Sequence, residues 1–164
     1  VADAGMRIRP AEPGDIPQIL EIWNPLIRDT SVTFTTVEKT RHGLKSDMAA
    51  RGRAFLVAED ADAILGFASY GAFRGGPGYV HTAEHTVILA PSAQRRGAGR
   101  ALMRRLEDQA RADDLHVLIG GVSGENLSAI AFHRAIGFQE AARLPEVGRK
   151  FGRWMDLVFL HKRV

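Results

Sequence analysis

Cysteine is absent from the 164 residues. That excludes a disulfide framework, a thiolate nucleophile and any cysteine-ligated zinc or iron–sulfur centre. Long apolar runs are missing too: no stretch approaches the roughly 18 residues that a membrane-spanning helix requires. The opening Val1-Ala2-Asp3-Ala4-Gly5-Met6 is too polar for a secretory signal. The sequence therefore reads as a soluble, cytoplasmic protein with no membrane partner, with residues 1–5 as a disordered extension. Internal repeats, low-complexity tracts and linker-like stretches are lacking, so residues 6–162 are expected to form a single domain. Lysine is scarce, with only Lys39, Lys45, Lys150 and Lys162, and the formal charge of +3 rests on arginine. The densest basic group, Arg95, Arg96, Arg100, Arg104 and Arg105, has no aromatic residue interleaved, which argues against a single-strand nucleic-acid surface. There is no G-x-x-x-x-G-K-[ST], so a Walker-type nucleotide triphosphatase is excluded.

Hydrophobic periodicity supplies the elements. Met6 to Arg9 reads as a strand. Asp15 can cap a helix with Ile16, Ile19, Leu20 and Trp23 on one face and Pro25 as its terminator. Ser31 to Thr35 is β-prone, and Thr36 is placed to cap a second helix that stops at Gly52. Ala54–Glu59 and Ile64–Tyr70 form a hairpin, followed by a loop at Arg74-Gly75-Gly76-Pro77-Gly78. A long strand, Tyr79 to Leu89, precedes a helix from Gly97 to about Asp113 with Leu102, Leu106 and Ala110 as its apolar stripe. Val117 to Ile119 is a short strand ended by Gly120-Gly121. A helix from Asn126 to Ile136 and strands near 141–144 and 154–160 complete the chain. The fold class is α/β, a mixed sheet of about six to seven strands flanked by about four helices.

The most informative run is Val87-Ile88-Leu89-Ala90-Pro91-Ser92-Ala93-Gln94-Arg95-Arg96-Gly97-Ala98-Gly99-Arg100, where an apolar strand meets a turn of arginine and glycine and a helix begins. Unpaired backbone N–H groups and a partial positive charge make a helix start an anion site. Gly97 and Gly99 remove Cβ atoms that would obstruct a phosphate, and Arg95, Arg96 and Arg100 add charge. The turn suits a phosphorylated ligand.

Gln94 to Gly99 resembles the Q/R-x-x-G-x-G/A signature of GNAT-superfamily N-acetyltransferases. Asn126 and Ser128, followed by Phe132-His133-Arg134-Ala135-Ile136-Gly137-Phe138, are similar to that superfamily's second segment. Tyr70-Gly71-Ala72-Phe73-Arg74, His81-Thr82-Ala83-Glu84-His85-Thr86-Val87 and Phe151-Gly152-Arg153-Trp154-Met155-Asp156 resemble the phosphinothricin and methionine sulfoximine acetyltransferase subgroup. The resemblance implies a single-domain GNAT-like fold and acetyl transfer from acetyl-CoA to the α-amine of a small amino acid. It also implies a homodimer and requires no metal. Val87, Ile88 and Leu89 would meet the pantetheine arm, Gln94, Arg95, Arg96, Gly97, Ala98, Gly99 and Arg100 the pyrophosphate, and Asn126 with Ser128 the pantetheine region.

Glu84 is the expected general base, because the attacking ammonium must lose a proton. His85 competes, its ordinary pKa near 6.5 suiting the task. On a regular strand the two point to opposite faces, so a supporting role for His85 is preferred. His133 stands where many superfamily members carry a tyrosine proposed to protonate the departing thiolate. Either His133 serves or the thiolate leaves without a dedicated donor. Arg74 is the expected partner of a substrate anion. Phe34, Tyr79, His81 and Thr82 are the other expected substrate contacts. Acetylation of a protein N-terminus, a polyamine or an aminoglycoside remains open, as do a non-catalytic acetyl-CoA-binding domain and a basic nucleic-acid-binding module.

Overall fold

A computed structural model describes residues 5–164, so the extension expected over residues 1–5 lies, but for Gly5, outside the described residues. In chain order the elements are β1 (Met6–Pro10), α1 (Ile16–Asp29), α2 (Arg41–Arg51), β2 (Phe55–Asp60), β3 (Ala63–Ala72), β4 (Thr82–Leu89), α3 (Ala98–Ala112), β5 (Val117–Ser123), α4 (Leu127–Ala135), β6 (Gln139–Lys150) and β7 (Arg153–Arg163). The strands form one seven-stranded sheet in the order β1-β2-β3-β4-β5-β7-β6. Every pairing is antiparallel except β4 with β5, which is parallel. This is the mixed α/β architecture expected from the sequence. No helix among the described residues is long and apolar enough to cross a membrane.

Strand alternation divides the core into two layers. On one face, Leu102, Met103 and Leu106 of α3 and Ile130 of α4 pack against Leu56, Ala68, Leu118, Val158 and Leu160. On the other, Ile16, Ile19, Leu44 and Met48 of α1 and α2 cover Phe55, Val57 and Phe67.

Several elements depart from the sequence expectation. Helix α1 does not stop before Pro25 but continues to Asp29. The missing N–H of an interior proline costs about 3 kcal/mol, but the fully buried Ile27 extends the apolar face beyond it. Each such side chain contributes about 1.5–3 kcal/mol on burial. Residues 31–36 form no strand, because their fastening comes from side chains instead. Lys150 Nζ donates to the Thr33 carbonyl at 2.7 Å. Phe34 lies where a Cβ on Gly148 would stand, 2.5 Å away. The cap of α2 is Thr40 rather than Thr36, its hydroxyl accepting from the Gly43 amide at 3.0 Å. The end at Gly52, with φ +53°, is as read. Strand β4 starts at Thr82, since Tyr79 closes a short 3₁₀ turn. Strand β7 is interior, between β5 and β6, so burial explains its apolar character. The outer edge belongs to β6.

Candidate active site

The two parallel strands at the centre separate. Pairing of β4 with β5 ends at His85 with Gly120. Beyond that point β4 remains paired with β3 as far as Leu89, and β5 with β7 as far as Ser123. The facing edges of Thr86–Leu89 and Gly121–Ser123 thus have no partner strand, and their backbone groups are open to a ligand. A cavity of about 250 Å³ occupies the split, lined by backbone of both strands and by Trp23, Phe34, Lys39 and Asn126.

Glu84 and His85 flank the last paired position from opposite faces. Glu84 lies on the face shared with α1 and α2, with Oε2 3.8 Å from where a Cβ on Gly121 would stand. Its carboxylate is half-buried and has no hydrogen-bond or ion-pair partner among the described residues. Burial pushes its pKa above the ordinary carboxylate value. His85 faces α4 and is 5% exposed. Its Nε2 is 2.8 Å from Nε2 of His133, and Nδ1 of His133 is 2.7 Å from the Ala129 carbonyl.

A carbonyl only accepts, so His133 carries its proton on Nδ1 and its Nε2 accepts from His85. That leaves Nδ1 of His85 as a bare acceptor, and it is buried without a partner. Burial, and then the neighbouring His133, push the His85 pKa down to about 3. Burial also lowers that of His133. Both rings are neutral near pH 7, and both line the cavity. Gly120 is required by this pair: a Cβ there would stand 2.9 Å from His85 Cε1 and 3.2 Å from His133 Nε2. Strand β5 runs through Gly120-Gly121 to Ser123 instead of ending there, because it stays paired with β7 as far as Ser123.

The turn before α3 opens the other end of the site. Gly97 adopts φ +83° and starts the helix, with open space around it. Gly99 is also needed for packing. A Cβ there would meet Leu89 and Phe132 at 3.3 Å, so its absence permits close packing of helix on strand. Arg95, itself at φ +65°, and Arg100 are exposed and have no ion-pair partner among the described residues. Arg96 bridges to Asp60 at 2.6 Å, tying the turn to the β2–β3 hairpin. Gln94 is exposed, while Ala98 is buried in the core.

Val87 and Ile88 line the split, whereas Leu89 packs toward Gly99. Asn126 caps α4, accepting from the Ala129 amide at 3.2 Å. The Ser128 hydroxyl donates to the Asn126 side chain at 3.1 Å, so Ser128 orients Asn126 and does not itself line the cavity.

The expected substrate residues do not converge. Phe34 lines the split. Arg74, Tyr79 and Thr82 line a different cavity of about 640 Å³, together with Arg51, Tyr70 and Asp113. The Arg74 guanidinium rests over the Tyr79 ring, 5.2 Å from its centroid. His81 is exposed and hydrogen-bonded to the Asp114 carbonyl at 2.7 Å. Conversely, Trp23, Lys39 and Ser123 line the split, although sequence reasoning did not select them. Of these, the sequence singles out Trp23 alone, and then only as part of the apolar face of its helix. No cluster of His, Asp and Glu that could hold a metal ion occurs among the described residues.

Comparison with known proteins agrees with this geometry. Residues 18–138 match the acetyltransferase (GNAT) family. The chain is 36% identical over 158 residues to an L-methionine sulfoximine/L-methionine sulfone acetyltransferase of Salmonella typhimurium, covering 94% of this chain and 92% of the other. A ribosomal-protein-alanine N-acetyltransferase structure from Brucella melitensis superposes with a TM-score of 0.91 at 38% identity, covering 96% and 99% of the two chains. A phosphinothricin acetyltransferase from Sinorhizobium meliloti, solved with acetyl-CoA, gives 0.90 at 27% identity over 98% and 89%. The chain belongs to the GNAT acetyltransferase family.

Proposed function

We propose that this acetyltransferase moves the acetyl group of acetyl-CoA to the α-amine of a small amino acid of the methionine sulfone, methionine sulfoximine or phosphinothricin type. One observation carries the reading: a half-buried carboxylate with no partner among the described residues, Glu84, stands beside the open edge of a split sheet. Acetyl-CoA fits the split because its pantetheine amides can bond the open backbone of Val87, Ile88 and Leu89 as an added strand would. Its pyrophosphate then meets the α3 N-terminus through residues Gln94 to Arg100. Asn126, held by Ser128, borders the same cavity.

When bound, acetyl-CoA supplies the thioester. Glu84 takes a proton from the substrate ammonium, directly or through water, and the freed nitrogen lone pair forms the new C–N bond. The C–S bond breaks, the nitrogen gives up its second proton to water to leave a neutral amide, and sulfur departs as a thiolate. With a free-thiol pKa near 8.5 it leaves without a dedicated acid. His85 and His133, neutral and linked, support the wall behind this centre.

A second reading, acetylation of a protein N-terminus, draws on the likeness to the Brucella structure. The cavity of about 250 Å³ favours a single amino acid. We further propose a homodimer in the cytoplasm, with no nucleic-acid partner. Dimerisation is supported by the edge strand β6, where Leu144 and Val147 are exposed beside Trp154 and Phe151. The test is turnover of acetyl-CoA with methionine sulfone, methionine sulfoximine, phosphinothricin, spermidine, an aminoglycoside and an alanine-initiated peptide. The amino-acid analogues are expected to exceed the others in kcat/KM by at least about tenfold, and equal or better turnover of peptide or polyamine contradicts the reading.

A further inference from the structure

The charge inside the split is unusual for a pocket that must admit an ammonium ion. Of the residues lining the cavity, Lys39 alone carries a full charge, because both histidines are held neutral by burial. Its backbone is fixed from both sides: the Lys39 amide donates to Asn24 Oδ1 at 2.8 Å, and Asn24 Nδ2 donates to the Lys39 carbonyl at 3.0 Å. Its side chain is fixed by the Trp23 ring, whose centroid is 4.7 Å from Nζ. Trp23 in turn packs on Phe67 with a centroid separation of 4.8 Å. An ammonium held this way has lost much of the freedom that a surface lysine keeps, so little entropy remains to be lost when it meets a ligand. No carboxylate pairs with it among the described residues. Glu84, which borders the split beside Gly121, likewise has no partner among the described residues, so the site offers one cation and one anion.

That arrangement complements a molecule carrying one amine and one anionic or strongly dipolar oxygen group. We propose that Lys39 is the residue that recognises the oxygen group of the amine substrate, the part expected from Arg74, which lines the other cavity. A second substrate cation placed against Lys39 would be repelled, so polyamines are disfavoured by the same residue. The inference rests on the amino-acid reading above and names the side chain that enforces it. The oxygens can belong to the α-carboxylate or to the side-chain sulfone, and the test separates these sources.

Kinetics are measured for the wild type, Lys39→Met, Lys39→Arg and the exposed α2 control Lys45→Met, with methionine sulfone, its α-carboxamide, norleucine and, for comparison, spermidine. Lys39→Met is expected to raise KM for methionine sulfone by about 10- to 100-fold, the range of a charge-assisted hydrogen bond. The effect on kcat should be far smaller, acetyl-CoA affinity should hold, and Lys39→Arg should recover most of the loss. If the preference over the carboxamide collapses in Lys39→Met, the carboxylate is the partner. If instead the preference over norleucine collapses, the sulfone is. Both preferences persisting unchanged in Lys39→Met overturns the assignment alone. A wild type that prefers spermidine to all three overturns the amino-acid reading and this assignment with it.

Discussion

Glu84 and His85 are neighbours in one strand, yet they occupy opposite environments. Glu84 faces the α1–α2 side, half-buried and without a partner among the described residues. His85 faces α4, buried and bonded to a second imidazole. Burial acts on both by the same physics, penalising whichever form is charged. The consequences are opposite. A carboxyl whose pKa rises becomes a better base, whereas an imidazole pushed down to about 3 is a poor one at neutral pH. By ordinary pKa alone the histidine is the better candidate, but the environment reverses the order. Position relative to the split separates the two environments, and strand alternation sets the position.

Glu84→Gln is the variant that strains this comparison most. It should lower kcat by about 10²–10⁴-fold, the usual contribution of general acid–base catalysis, with acetyl-CoA affinity kept. Wild-type turnover in this variant would dissolve the distinction between the faces. Next comes Gly120→Ala, which crowds both imidazoles. Overpacking of this kind costs about 1–3 kcal/mol, to be read as a lower urea midpoint with unchanged slope. The smallest expected kinetic effect is that of His133→Gln. If the thiolate leaves unaided, kcat should fall by less than about tenfold; a loss comparable to that of Glu84→Gln would make the buried pair part of the proton pathway.

Much of this was legible in the sequence because it depends on local rules. The hairpin at 60–63, the helix start at Gly97 and the opposite orientations of Glu84 and His85 follow from turn chemistry and strand period. Other features depend on distant partners. Gly120-Gly121 looks like a strand terminus until His85 and His133 are seen to fill the space a Cβ would take. The packing demand on Gly99 becomes visible only when Phe132 arrives from α4. Helix α1 outlasts Pro25 because Ile27 finds a core. Arg74 and Lys39 show the same limit in the site itself: charge and motif selected the arginine, but only the folded chain shows that Lys39 lines the split and Arg74 a different cavity. The signature segment was readable from its own residues, whereas the opposite wall, built by residues 23–39, carried no motif.

The acid limb of the pH–kcat/KM profile tests the base assignment most directly, measured with methionine sulfone on the wild type, Glu84→Gln and His133→Gln. Below the Glu84 pKa the carboxyl is protonated and cannot accept the ammonium proton, so activity should rise with pH through a single group titrating above the ordinary 4.5. The expected result is that this limb persists in His133→Gln and is lost in Glu84→Gln, which retains only weak activity. A limb that survives unchanged in Glu84→Gln and disappears in His133→Gln would contradict the account and move the base to the buried face.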